Sequence, residues 1–81
     1  MSPTVIRQGK YRFYFNSREE PRRHVHVQTP DGEAKFWIEP VVALCTSHGL
    51  RTAEIRAIQV VIEERNEEII RAWRRHCGGV R

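Results

Sequence analysis

His24-Val25-His26-Val27-Gln28-Thr29-Pro30-Asp31-Gly32-Glu33-Ala34-Lys35-Phe36-Trp37-Ile38 is the stretch on which the fold turns. In a β-strand, successive side chains point to opposite faces. Read that way, residues 24–28 and 33–38 are two strands. Thr29-Pro30-Asp31-Gly32 between them is a hairpin turn, because Asp-Gly tolerates the positive φ that tight turns need. One face of the pair then carries Val25, Val27, Ala34, Phe36 and Ile38. The other carries His24, His26, Lys35 and Trp37.

Upstream, residues 4–8 read as a first strand and 11–15 as a second, joined by Gln8-Gly9-Lys10. Tyr11, Phe13 and Phe15 alternate with Arg12 and Tyr14, a period of two. Residues 16–23 are polar, contain Pro21 and read as a loop. Pro40 stops the fourth strand. Residues 41–50 fit either a short helical turn or a further extended piece, ending at Ser47-His48-Gly49.

A long helix is predicted next. Thr52 is placed to cap it, and Glu54 sits in the first turn, where the helix dipole favours an acid. Ile55, Ile58, Ile62, Ile69 and Trp73 recur at helical spacing as one stripe. Glu67 and Arg71 form an i,i+4 pair, Arg71, Arg74 and Arg75 crowd the last turns, and Gly78-Gly79 is the stop. The helix would run about 24 residues, or about 36 Å at 1.5 Å per residue. That is long enough for its far end to reach a partner, and Val60 falls nearly opposite the stripe. The expectation is therefore an α+β fold. A small, mainly antiparallel sheet of about four strands packs on one long C-terminal helix, in a single domain over residues 1–81.

If the helix covers the face bearing Phe13, Val25, Val27, Ala34, Phe36 and Ile38, the open face shows Arg12, Tyr14, His24, His26, Lys35 and Trp37. Arg7 joins it from the first strand. This face is basic, aromatic and histidine-bearing.

Composition agrees with an anionic partner without demanding one. The formal charge is +4, and Arg provides all of the 14 basic residues except Lys10 and Lys35. Arg offers a planar fork that fits phosphate and carboxylate oxygens alike. No apolar run approaches the ~18 residues of a membrane span. Two cysteines, Cys45 and Cys77, without a charged-then-apolar leader, point to free thiols in a reducing cytoplasm. Cys45 reads as a small buried hydrophobe.

The ordered set Pro3-Thr4-Val5, Phe13-Tyr14-Phe15, His24-Val25-His26-Val27, Ala34-Lys35-Phe36-Trp37 and Ala72-Trp73 resembles a family of short bacterial proteins whose domain carries only an unknown-function label. The resemblance spans nearly the whole chain. One departure is Arg23, which stands where the family usually has proline before the first histidine. Such proteins are often encoded beside a second small protein. The resemblance therefore implies one half of a toxin–antitoxin-like pair, with a small cognate protein encoded nearby as partner. It brings no catalytic mechanism and no cofactor.

The residues themselves suggest one chemistry. His24 and His26, i and i+2 on a strand, lie roughly 6–7 Å apart and could straddle a phosphate. One imidazole would take the 2′-hydroxyl proton of RNA while the other protonates the leaving oxygen, without a metal. Lys35 would stabilise the developing charge. Arg7, Arg12, Arg22 and Arg23 would hold phosphates, and Tyr14 and Trp37 would stack on bases. The plainer reading makes the histidines outward polar residues of a half-exposed strand, and Trp37 the centre of a protein interface or homodimer contact. A metal would need a third ligand besides the histidine pair. His48, Cys45, His76, Cys77 and Glu33 qualify, and no spacing selects one. The expected function is a toxin–antitoxin-type component that binds or cleaves nucleic acid, RNA before DNA. The alternatives are a non-catalytic interaction module and a small metal-dependent enzyme.

Overall fold

Five strands form one antiparallel meander in the order β1-β2-β3-β4-β5. They are β1 Thr4–Gln8, β2 Tyr11–Tyr14, β3 His24–Gln28, β4 Glu33–Trp37 and β5 Ala43–His48. Two helices follow, α1 Thr52–Glu64 and α2 Asn66–Cys77. The structure is a computed structural model that describes residues 4–15 and 22–77. The expected loop over 16–21, the Gly78-Gly79 stop and the side chain of Cys77 lie outside the described residues.

The alternation that the sequence suggests sorts the apolar residues as expected. Phe13 pairs with Val27 and Val27 with Ala34, while Val25 pairs with Phe36. These residues are buried together with Ile6, Phe15 and Ile38. The helices close over them with Ile58, Val61 and Ile62 from α1 and Ile69 and Trp73 from α2. Val60 stands exposed on the outer side of α1.

Three details differ from the expectation. First, the ambiguous stretch 41–50 is extended and supplies a fifth strand, β5, paired with β4. Its alternation is hard to read because the register shifts opposite Lys35 and Phe36: Lys35 pairs with Thr46 but Phe36 with Leu44. Cys45 is the extra residue of a bulge, so the period of two breaks there.

Second, the long helix is broken at Arg65, whose φ of −111° and ψ of 25° leave the helical region. The break falls in Glu63-Glu64-Arg65-Asn66-Glu67-Glu68, which has no apolar side chain to anchor it to the sheet. A straight helix would also set Glu63 against Glu67 and Glu64 against Glu68, both repulsive i,i+4 pairs. At the break the Arg65 guanidinium takes both carboxylate oxygens of Glu68 and donates to the Gln8 side chain of β1. Third, Arg51 rather than Thr52 occupies the cap position of α1, with no side-chain cap bond.

The turns use different devices. Gly9 has a φ of +57° at the first of the two residues between β1 and β2, where glycine is favoured in hairpins of the II′ kind. The β3–β4 turn does not use Asp-Gly for positive φ as expected, since Gly32 is not among the positive-φ glycines. It is held by buried Thr29, whose hydroxyl oxygen accepts from the Asp31 and Gly32 amides at 3.0 and 3.1 Å.

Lys10 fastens these turns to the helix layer. Its ammonium lies 2.7 Å from Glu54 of α1 and 3.6 Å from Asp31. Chiefly the hydrogen bond to Glu54 holds the Lys10 pKa above its ordinary 10.5. A raised amine contributes stability that is complete below the unfolded value and lost as pH rises through the native one. Thermal unfolding should therefore fall more steeply for the wild type than for Lys10→Met as pH climbs from about 10 to about 12. Parallel pH profiles would remove the contact from the stability of the fold.

Candidate functional site

The face turned away from the helices is built by rows that cross the sheet. One row runs Tyr14, His26, Lys35, Thr46 from β2 to β5. The next runs Arg7, Arg12, Gln28, Glu33, His48. A third joins His24, Trp37 and Ala43 at the far end. Residues directly opposite one another on neighbouring strands share a face and touch. The expected grouping of Arg7, Arg12, Tyr14, His26, Lys35 and Trp37 on one face is therefore met.

Ring contacts fix these side chains. Tyr14 and His26 stack at 5.2 Å with planes 19° apart. The Arg12 guanidinium lies over Tyr14 at 4.7 Å, and its nitrogens donate to Thr4 Oγ1 and Gln28 Oε1. Trp37 carries Arg22 at 4.1 Å and Lys35 at 4.9 Å. A cation over an aromatic face is attracted by the ring quadrupole. The rings thus position cations of the chain itself, Arg12 on Tyr14 and Arg22 and Lys35 on Trp37.

Arg22 and Arg23 are tied to the segment after β4. Arg23 pairs with Glu39 at 2.8 Å, and Arg22 Nε donates to the Glu39 carbonyl at 3.3 Å. Arg23 is thereby used in an ion pair just before β3.

His24 departs from its expected place. Alternation sets it on the row of Trp37, but its side chain is 0% exposed. It is the first residue of β3, and there the ring meets Trp73 of α2 at 5.1 Å, His26 at 5.3 Å and Trp37 at 6.0 Å. Its Nδ1–H donates to the Arg22 carbonyl at 2.6 Å. Alternation decides the side of a sheet but not the depth, and the tail of α2 closes over this end of it.

A groove of about 510 Å³ lies on the open face, lined by Tyr14, His26, Lys35, Cys45, Thr46 and His48, with Glu33 beside them. His48, weighed from sequence only as a third metal ligand, is therefore a member of this face. Placing it required knowing that residues 43–48 are a strand and where the bulge falls. Cys45, expected to be buried, is half-buried at the bulge and borders the groove. His76 lies elsewhere, 5.5 Å from Phe15 on α2. Among the described residues no three His, Cys, Asp or Glu side chains are grouped to hold a metal ion. Nor is any helix among them long and apolar enough to cross a membrane.

The chain matches the domain of unknown function DUF4160 over residues 10–74 and belongs to that family. No curated protein and no solved structure matches it.

Proposed function

We propose that this chain is the nucleic-acid-binding member of a cytoplasmic toxin–antitoxin-type pair, and that its ligand is single-stranded RNA before DNA. The observation that carries the reading is the face holding Arg7, Arg12, Tyr14, His26, Lys35 and Trp37 in adjoining rows. Single-stranded RNA is recognised by stacking on aromatic rings or on arginine planes, combined with contacts to phosphates. Guanidinium groups held over Tyr14 and Trp37 suit both tasks. The partner is a small cognate protein encoded nearby. Inducing this chain alone, and then with that neighbour, tests the pairing through growth.

Binding is tested with a labelled single strand of RNA and a DNA duplex of the same sequence. RNA should bind more tightly, and its affinity should fall steeply with salt, because phosphate contacts release counterions. Arg12→Ala and Lys35→Ala should each weaken binding and flatten the salt slope by about 1. No RNA binding at low salt, or affinity that ignores salt, would overturn the reading.

A second reading, a protein-docking module or homodimer, is favoured by Leu44 in the edge strand β5 and Val41 just before it, both exposed. A dimer measured in solution and lost on Leu44→Lys, with no RNA bound, would select it.

A further inference from the structure

We propose that the groove over β3, β4 and β5 cleaves RNA by transphosphorylation, with His26 and His48 as the acid–base pair and Lys35 steadying the phosphate. The inference rests on the RNA-binding reading and adds a reaction to it.

The pairing of His26 with His24 lacks access, because His24 is enclosed. His26 and His48 instead line one groove together with Lys35 and Thr46. Lys35 is the cross-strand neighbour of His26 on one side and of Thr46 on the other, and His48 follows two residues after Thr46 on the same face. Two strand spacings across and two residues along put the backbones of the histidines about 12 Å apart. Imidazoles reaching inward from such positions can approach a phosphodiester from its two sides, with the lysine between them.

The His26 ring and the His48 backbone are held. His26 stacks on Tyr14 and meets the edge of His24. The His48 backbone is seated against the β3–β4 turn, where its carbonyl occupies the space a side chain at Gly32 would need. Groups held by packed neighbours keep the geometry that proton transfer requires.

The 2′-oxygen attacks the adjacent phosphorus, and its proton passes to the histidine that is neutral. The bond from phosphorus to the 5′-oxygen breaks, and the protonated histidine gives its proton to that oxygen. The products are a 2′,3′-cyclic phosphate and a 5′-hydroxyl, and exchange with water restores both rings. No metal, oxidant or cofactor takes part.

The test uses the full chain and a DNA strand containing a single ribonucleotide, with binding followed by anisotropy in the same samples. Cleavage is expected only at the bond 3′ of the ribonucleotide, leaving a cyclic phosphate, and an all-DNA strand should stay intact. His48→Gln should slow cleavage by about 100-fold or more while affinity changes by less than about threefold, and His26→Gln should slow cleavage by about 100-fold or more with the strand saturated, whatever it does to affinity. His48 is exposed, so its variant tests the chemistry without disturbing the core. Strands that bind but remain whole would overturn the inference and leave the binding reading standing. So would full cleavage by either variant, or cleavage abolished by EDTA and restored by zinc. Failure of this strand, and of an RNA strand of the same sequence, to bind at low salt would overturn both.

Discussion

His24→Ala is expected to lower the free energy of unfolding by about 3 kcal/mol, the scale of an aromatic or large aliphatic truncation in a packed core. The ring is fully enclosed and touches His26, Trp37 and Trp73, which come from three different elements. Truncation removes those contacts and leaves a cavity beneath Trp73. It also removes the Nδ1–H that satisfies the Arg22 carbonyl at 2.6 Å. A domain of this size is stabilised by roughly 0.05–0.15 kcal/mol per residue, so such a loss is a large share of the whole. Urea denaturation of wild type and variant measures it. A solvent-facing strand histidine would cost within about 0.5 kcal/mol. A result in that range would return His24 to the surface and reopen its pairing with His26. Because His24 sets the edge against which His26 rests, its loss should also impair the groove, as a positioning effect that follows from packing.

The contrast shows what alternation can and cannot tell. Phe13, Val25, Val27, Ala34, Phe36 and Ile38 were readable as the core face, since every one lies beneath the helices. The same rule grouped Arg12, Tyr14, His26, Lys35 and Trp37 correctly. It failed for His24 because depth at the end of a strand depends on what a distant segment does there. Trp73, 49 positions further on, supplies the cover. Its helical stripe marked it as core, but nothing local linked it to this histidine.

β5 and the helix break were hidden for different reasons. Ala43-Leu44-Cys45-Thr46-Ser47-His48 is uncharged and short, and the bulge at Cys45 removes the periodicity by which a strand is recognised. His48 accordingly could not be assigned to the open face from sequence. The helix break was written in the residues, but in charge rather than in hydrophobic spacing. Ile62 and Ile69, seven residues apart, keep the stripe in phase across it. The four glutamates around Arg65 are what a continuous helix would bring into repulsion. Attention to the stripe alone favours one long helix.

Gly32→Ala carries the second large effect, expected at about 2–4 kcal/mol, at or above the usual cost of overpacking. The glycine's φ is not the reason, since it is not among the positive-φ positions. A Cβ at residue 32 would overlap the His48 carbonyl oxygen, and it would come within 2.9 Å of Gly49 Cα. These are backbone atoms of the β5–α1 junction, so no side chain can rotate away. The junction is itself constrained: Gly49 has a φ of +80°, and a side chain there would approach the Asp31 carbonyl at 2.5 Å. The two glycines thus let the β3–β4 turn and the end of β5 pack backbone to backbone, which seats His48 beside Glu33 at the rim of the groove. Adding one methyl group must move that junction. Loss of stability by denaturation, accompanied by RNA cleavage reduced more than RNA binding, is the expected pair of results. Alanine tolerated with unchanged stability would show that the close approach of the two turns is not a feature of the folded chain, and would remove the support it gives to the position of His48.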